Sequence, residues 1–543
     1  MELLITVASL ATAIYAVASR ERRLDLRLRL GLLDVCVVGG LFLATLYLEF
    51  YGFAESHHFA LSQCKWPHGL NPKNATYLTT LSIIAWVAVR LRTARFQAKN
   101  IFKFQELTEE LFWGGRFGEL LTLVENHAGE LFRASQHDFR LARLARWLAP
   151  PPTLELRLRA FIEGKDEARQ PESKESPFAR FMAAARRRVA ALLPTYERES
   201  EAANDIIRSA VLAPAFVKAM AVSRPYAALR ILAQWPESAD KNEFVFLYFS
   251  ELVENVSSVF YTELARNQGM TAHGYEIPPT NRLLHFFLLD AKVAQQFRLY
   301  KPVGDFVERH LDELQRHPEQ DFYNRMPGQF DDEERNRWPV YAAVRFFDIM
   351  ITQALYQGIE WHMWLYYFPP FVERMLRNYQ SDSGMFDPDA EFPLRYSKLL
   401  YEVFDVLRDW ILALEYIPEA QRNTVLKNTQ PTHENANIPK SSILALSICL
   451  RQVLESNKVG EGQKRSLTNM ALELYFELRG IQRDNYASAL VEALKAGGFS
   501  YRDDDALYQK QLRECLRHEQ SEYEIKYQQP WVDDLCAALG IEG

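Results

Sequence analysis

Cysteine is scarce in this chain, and what there is does not pair. Cys36, Cys64, Cys449, Cys515 and Cys536 are the five cysteines among 543 residues. No two form a Cys-x-x-Cys motif. This excludes a disulfide-stapled secreted scaffold and suits a reducing compartment for the C-terminal bulk. Catalytic signatures are missing as well. Gly460, Gly462, Lys464 and Ser466 hold the ingredients of a phosphate loop at the wrong spacing, with no strand before them. There is no Gly-x-Ser-x-Gly elbow and no His-Glu-x-x-His. His137-Asp138 lacks the further ligands of a metal phosphohydrolase. No motif names a cofactor, which stays unknown at this level.

Positive charge is also in short supply, and it is unevenly spread. The net charge is −7. Residues 1–103 hold 12 Lys/Arg against 6 Asp/Glu, so residues 104–543 carry −13. So acidic a body argues against nucleic acid as a partner.

What is present at the N-terminus is apolar. Three stretches, near 2–19, 30–50 and 77–94, approach the roughly 20 residues that a helix needs to cross a bilayer core of about 30 Å. The segment Arg20 to Arg29 holds five arginines, and the third stretch passes into Arg90, Arg92, Arg95 and Lys99. The positive-inside rule then predicts an outer N-terminus, an outer segment 51–76 and a cytoplasmic body. Ala8, Thr12 and Ala16, with Gly39 and Gly40, are small residues of the kind that lets membrane helices pack closely. In the outer segment, His57, His58, Cys64 and His68 are zinc-type ligands and make a candidate metal site.

The remainder reads as helix after helix. Residues 112–125, FWGGRFGELLTLVE, and the run Tyr226 to Leu232 after Pro225 resemble parts of tetratricopeptide-type hairpins, although no 34-residue period is sustained. The resemblance implies partly stacked helical hairpins. Residues 133–194 are basic, with Arg140, Arg143 and Arg146 at every third position beside Leu144 and Trp147, then Arg186, Arg187 and Arg188. Together with Arg90, Arg92, Arg95 and Lys99, these are candidate contacts with an anionic membrane surface. Trp338 to Phe368 is the most apolar stretch of the body. Its stripe Val340, Val344, Phe347, Ile351 and Leu355 is interrupted by Arg345, Asp348, Gln353 and Gln357 too often for a further membrane helix.

The expected fold is all-α: three N-terminal transmembrane helices, then a large cytosolic helical domain with partly stacked, tetratricopeptide-like hairpins. The expected divisions are a membrane module over 1–96, a juxtamembrane hairpin region over 97–164, a linker at 165–176, a central domain over 177–430 and a C-terminal subdomain over 431–543. The expected location is a plasma (bacterial inner) membrane, crossed several times. The expected partners are the lipid bilayer and either a protein or a second copy. The expected function is a non-enzymatic sensor or scaffold coupling a cytosolic partner to the membrane. Two alternatives stand beside it. One is a membrane-permeabilising or channel-like effector of the phage-defence, abortive-infection kind. The other is an enzyme whose active site is dispersed along the chain.

Overall fold

The computed structural model describes residues 28, 32–57, 71–93, 100–136, 140–148, 185–186, 188–190, 196–267, 269–271, 274–328, 331–359, 363–380, 392–417, 419, 437–498 and 506–540. The chain is mostly helical. Its strands, among the described residues, are a two-residue antiparallel pair, β1 (Met270–Thr271) and β2 (Gly274–Tyr275). The chain divides into two compact units, Met1–Lys241 and Asn242–Gly543.

The first unit opens with α1 (Leu32–Glu49) and α2 (Pro72–Thr93), which pack against each other. Next come α3 (Ile101–Trp113), α4 (Phe117–Ser135) and the short α5 (Arg140–Leu148). Gly114-Gly115 separates α3 from α4. Gly115 takes φ +65°, and the Arg116 amide closes the turn on the Leu111 carbonyl at 2.9 Å. The hairpin expected at this sequence is therefore present. Three helices pack on α4: α6 (Glu197–Ile206, continued by a π turn to Val211), α7 (Pro214–Ser223) and α8 (Pro225–Gln234). Pro214 and Pro225 each sit in a first turn, where a missing N–H costs nothing. Phe132 stacks on Trp235 at 4.2 Å, and Phe104 meets the His127 ring edge-on at 5.9 Å.

The three membrane-spanning helices of the sequence reading are not carried by length and apolarity. Among the described residues, no single helix is long and apolar enough to cross a membrane. The pair Glu197–Val211 and Pro214–Ser223 is long enough only when joined across a 63° bend. It buries Ile206, Ile207, Val211, Phe216 and Val217 inside its own unit. The first apolar stretch, 2–19, lies outside the described residues.

α9 (Ala239–Glu254), whose residues from Asn242 on belong to the second unit, is followed by α10 (Val259–Arg266). After the strand pair come α11 (Arg282–Leu288), α12 (Ala291–Gln296) and α13 (Tyr300–Arg316). Its centre is α14 (Pro339–Tyr356), in which nearly every side chain from Val340 to Leu355 is buried. Phe346 packs against Phe260 at 5.3 Å, and Phe347 against Phe368 at 5.8 Å. After it come α15 (Phe368–Asn378), α16 (Arg395–Leu412), α17 (Ile438–Glu455), α18 (Glu461–Gly480), α19 (Asp484–Ala496), α20 (Ala506–Lys526) and α21 (Gln529–Leu539); α16 packs on α14, and α17 packs on α15 and α16.

Local polar bonds separate α9 from α10 and α11 from α12. Ser258 donates to the Leu252 carbonyl at 2.6 Å, and Asp290 accepts from the Lys292 amide at 3.0 Å to start α12. The buried Glu263 carboxylate accepts from the Leu283 and Leu284 amides at 2.9 and 3.0 Å and so caps α11.

Gly304 of α13 makes room for another element. A Cβ there would run into the Tyr367 ring, whose hydroxyl is anchored on Asp305 Oδ1 at 2.7 Å. Gly304→Ala is expected to destabilise this unit by about 1–3 kcal/mol through overpacking. A denaturation midpoint equal to wild type would show that the ring moves aside freely.

Candidate functional site

The feature with the most unusual balance of surface and interior is the α1–α2 pair. Its buried contacts are polar. Arg90 forms a two-pronged pair with Asp34, Nε–Oδ1 at 2.6 Å and Nη2–Oδ2 at 2.9 Å. The Asp34 side chain is 2% exposed and that of Arg90 27%. Eleven residues further along α1 and eleven back along α2, Thr45 meets Thr79, Oγ to Oγ at 3.0 Å. The two contacts share one antiparallel register. Thr76 and Thr80 are buried and return their hydroxyls to carbonyls of their own helix at 2.9 and 2.8 Å, so they leave no donor open.

Its outer surface is apolar. Of 24 large apolar side chains exposed among the described residues, ten lie on these two helices and the turn after α1, among them Val35, Leu43, Phe53, Leu78, Leu81 and Val89. Gly39 and Gly40, expected to pack helices together, face away from α2. A Cβ on either would meet nothing within 4 Å. Ala8, Thr12 and Ala16 lie outside the described residues.

The basic residues take several positions. Arg90 is held by Asp34 and so is not a free surface cation. Arg92 lies on α2, and Arg140 and Arg146 on α5. Arg143, Arg186 and Arg188 are exposed. Arg95, Lys99 and Arg187 lie outside the described residues. Of the candidate metal ligands, His57 is exposed at a helix end with its ring 4.4 Å from that of Phe53. His58, Cys64 and His68 lie outside the described residues. Among the described residues, no three His, Cys, Asp or Glu side chains are placed to hold a metal ion.

In the second unit, the residues that interrupt the α14 stripe make tertiary bonds: Asp348 and Gln353 are buried, Arg345 is half-buried and Gln357 is exposed. Asp348 is buried. Its Oδ2 accepts from the Tyr275 hydroxyl at 2.6 Å and from Arg345 Nη1 at 2.8 Å. Its Oδ1 faces Trp410 Nε1 and Thr352 Oγ1, each at 3.3 Å. Gln353 donates to the Tyr275 carbonyl at 3.3 Å, and Gln357 bonds both Leu289 and Ala291 at 2.9 Å. α14 thereby fastens the strand pair and the α11–α12 junction. Burial raises the proton affinity of Asp348, against the pull of Arg345.

Three carboxylates follow on α16. Burial raises Glu402, which is paired with Arg335 at 2.8 Å. Burial also raises Asp405, and it lifts Asp409 to about 6 with help from the charges of Asp405 and Asp348. A carboxyl raised in the folded state binds protons more tightly there than in the unfolded chain. Its contribution to stability is therefore best at low pH and is lost as pH rises through about 6. Asp409→Asn should stabilise the protein at pH 7.5 and do nothing at pH 4. Solvent reaches this side chain, so the gain is at most about 1 kcal/mol. Equal midpoints for the two proteins at pH 7.5 would rule this out.

One open groove of about 650 Å³ lies between α16, α18 and α20. Its charged groups are already engaged. Arg408 forks onto Glu477, Arg465 Nη1 meets His518 Nε2 at 2.8 Å, and Glu473 holds Lys526 at 2.6 Å. Two arginines and two glutamates line it, so it is electrically balanced. It has the character of a polar contact surface.

Asp34 lies near the start of the apolar stretch 30–50 and Arg90 near the end of the stretch 77–94. Their opposite sign at matching depth was the signal that could have joined them. Comparison with protein-family models, with curated proteins and with solved structures finds no match to this chain.

Proposed function

We propose that this protein is a membrane-anchored, non-enzymatic helical sensor or scaffold, with α1 and α2 as a hairpin in the bilayer and the helical units serving a cytosolic partner. The observation that carries the reading is the inverted α1–α2 pair, polar between the helices and apolar outside. In water such a pair would leave its apolar face unburied, whereas lipid solvates it. Its 18 and 22 residues would span about 27 and 33 Å at 1.5 Å per residue, against a core of about 30 Å. Neither helix qualifies alone. Pairing alters the case, because the charges of Asp34 and Arg90 neutralise each other instead of facing lipid.

The arginines near Asp34 and Arg90 favour a cytoplasmic location for that end, and Phe50, Phe53 and Tyr77 suit the opposite interface. A plasma membrane of bacterial inner-membrane type, crossed several times, is the location we propose. The test is alkaline carbonate extraction of membranes from cells making the full chain. Retention in the pellet until detergent is added is expected. Release by carbonate alone would remove the reading.

A second reading has one observation in its favour. The outward Gly39-Gly40 strip leaves a smooth face on α1 against which another helix could close, as an assembling, permeabilising effector would require. Loss of membrane potential on induction would favour it over a pure scaffold.

A further inference from the structure

We infer that the groove between α16, α18 and α20 holds an extended, uncharged polar segment of a partner protein, with Asn469 bonding its main chain. The inference rests on the reading of the helical units as serving a partner, and it names the surface that does so. The floor of the groove is one face of α18. Gly462, Ser466, Asn469 and Glu473 recur along it at helical spacing, with α16 on one side and Glu519 of α20 on the other.

One polar group on this floor is oriented by the protein itself. The hydroxyl of Tyr523, a side chain 3% exposed, donates to Asn469 Oδ1 at 2.9 Å. That bond fixes which end of the amide is which. Nδ2, with two donor hydrogens, is left without a partner among the described residues, and so is the Ser466 hydroxyl one turn earlier. One turn later, Glu473 gives Oε1 to Lys526 at 2.6 Å and keeps Oε2 as an acceptor.

Charge then narrows the occupant. A phosphate or other anion would meet Glu473 and Glu519, and the arginines that could hold it are taken up by Glu477 and His518. A cation would meet Arg408 and Arg465. What fits is a neutral chain with donors and acceptors in turn, which is a peptide main chain. An extended chain suits the floor better than a helix, because a helix uses its main-chain groups internally. The spacing agrees. Asn469 and Glu473 are four residues apart, a rise of about 6 Å, and an extended chain presents the same edge every two residues, about 6.6 Å. From Gly462 to Glu473 the floor runs about 16 Å, room for about five extended residues in a groove of about 650 Å³.

The probe is a displayed library of short peptides of Gly, Ala, Ser, Thr, Asn and Gln, selected on the full-length protein in detergent. A peptide that it returns is labelled and titrated by fluorescence polarisation. Asn469→Ala is expected to weaken binding by about tenfold, the loss of one good hydrogen bond. Tyr523→Phe, which removes only the hydroxyl that orients the amide, should weaken it severalfold. Esters placed one at a time along the peptide weaken single main-chain carbonyls as acceptors. At one position the ester should cost severalfold on wild type and nothing on Asn469→Ala, a coupling that a merely structural Asn469 would not produce.

Ser466→Trp, which fills the groove from its floor, should abolish binding, and it carries the test if Asn469→Ala fails to fold. Equal affinities for wild type and Asn469→Ala, or for wild type and Ser466→Trp, would overturn the inference. So would a library that returns nothing enriched on wild type over Ser466→Trp, or an ester scan with no position coupled to Asn469. Carbonate extraction reports separately on the anchor. If the peptide binds protein that carbonate releases, the groove stands and the anchored reading falls. If the protein is retained in membranes and binds no peptide, the anchor stands and the groove falls.

Discussion

Replacing Arg345 with methionine is expected to lower the stability of the second unit by about 3–5 kcal/mol at pH 8, measured by denaturant titration of the full-length protein. The substitution removes the cation that pairs with the buried Asp348 carboxylate. Asp348 would keep its bonds from Tyr275, Trp410 and Thr352, none of which carries charge. An uncompensated buried carboxylate escapes the penalty by taking up a proton. Burial already raises the proton affinity of Asp348 with Arg345 present, and its loss raises it further. The folded variant then binds a proton that the unfolded chain releases above the ordinary carboxylate range. Stability must fall as pH rises, so the deficit should be smaller at pH 5 than at pH 8.

The double variant Arg345→Met/Asp348→Asn keeps an acceptor for Trp410 and removes the charge. It should recover much of the loss at pH 8. A single variant as stable as wild type at pH 8, or a deficit independent of pH, would show that this pair does not bear on the core.

The same residues show what could be read from the sequence. The α14 stripe Val340, Val344, Phe347, Ile351 and Leu355 follows from helical spacing, and all five are buried. Its interruptions were legible as a reason against a membrane helix. Their destinations were not, because Asp348 meets a tyrosine 73 positions earlier and a tryptophan 62 positions later. Periodicity reports which face of a helix is apolar, and it is silent on distant partners.

The helical class and the Gly114-Gly115 turn were readable for a local reason, since side-chain spacing and left-handed glycine conformation act within a few residues. The breaks near 256 and 290 are not legible from spacing, because they depend on side-chain hydroxyl and carboxylate bonds to the backbone. Such bonds compete with helix continuation without disturbing its apolar pattern. In the α1–α2 pair, hydropathy flagged the two helices separately. What pairs them is register, which one-dimensional hydropathy does not contain.

Breaking that register contact is the other change from which a large effect is expected. Arg90→Leu should remove about 3–5 kcal/mol from α1–α2 association, since it strands Asp34, a side chain 2% exposed, without its counter-charge. Cross-linking offers a direct readout. In a background without the natural cysteines, Thr45→Cys and Thr79→Cys occupy positions whose hydroxyls are 3.0 Å apart, so mild oxidation should join α1 to α2 in high yield. With Arg90→Leu added, the yield should drop severalfold. With Asp34→Leu and Arg90→Leu together, it should return, because two apolar residues leave no charge to solvate and the remaining contacts hold the register. That rescue separates an ion pair that sets alignment from residues that merely fill space: if size and packing were the reason, the double substitution would be the worse of the two. The same comparison bears on the proposed setting. In lipid the stranded carboxylate has no water to recruit, so the loss in membranes should exceed that in detergent micelles, where water reaches the helix ends. Equal cross-linking of the single variant in both settings would indicate that the pair aligns the helices without being sheltered by a bilayer.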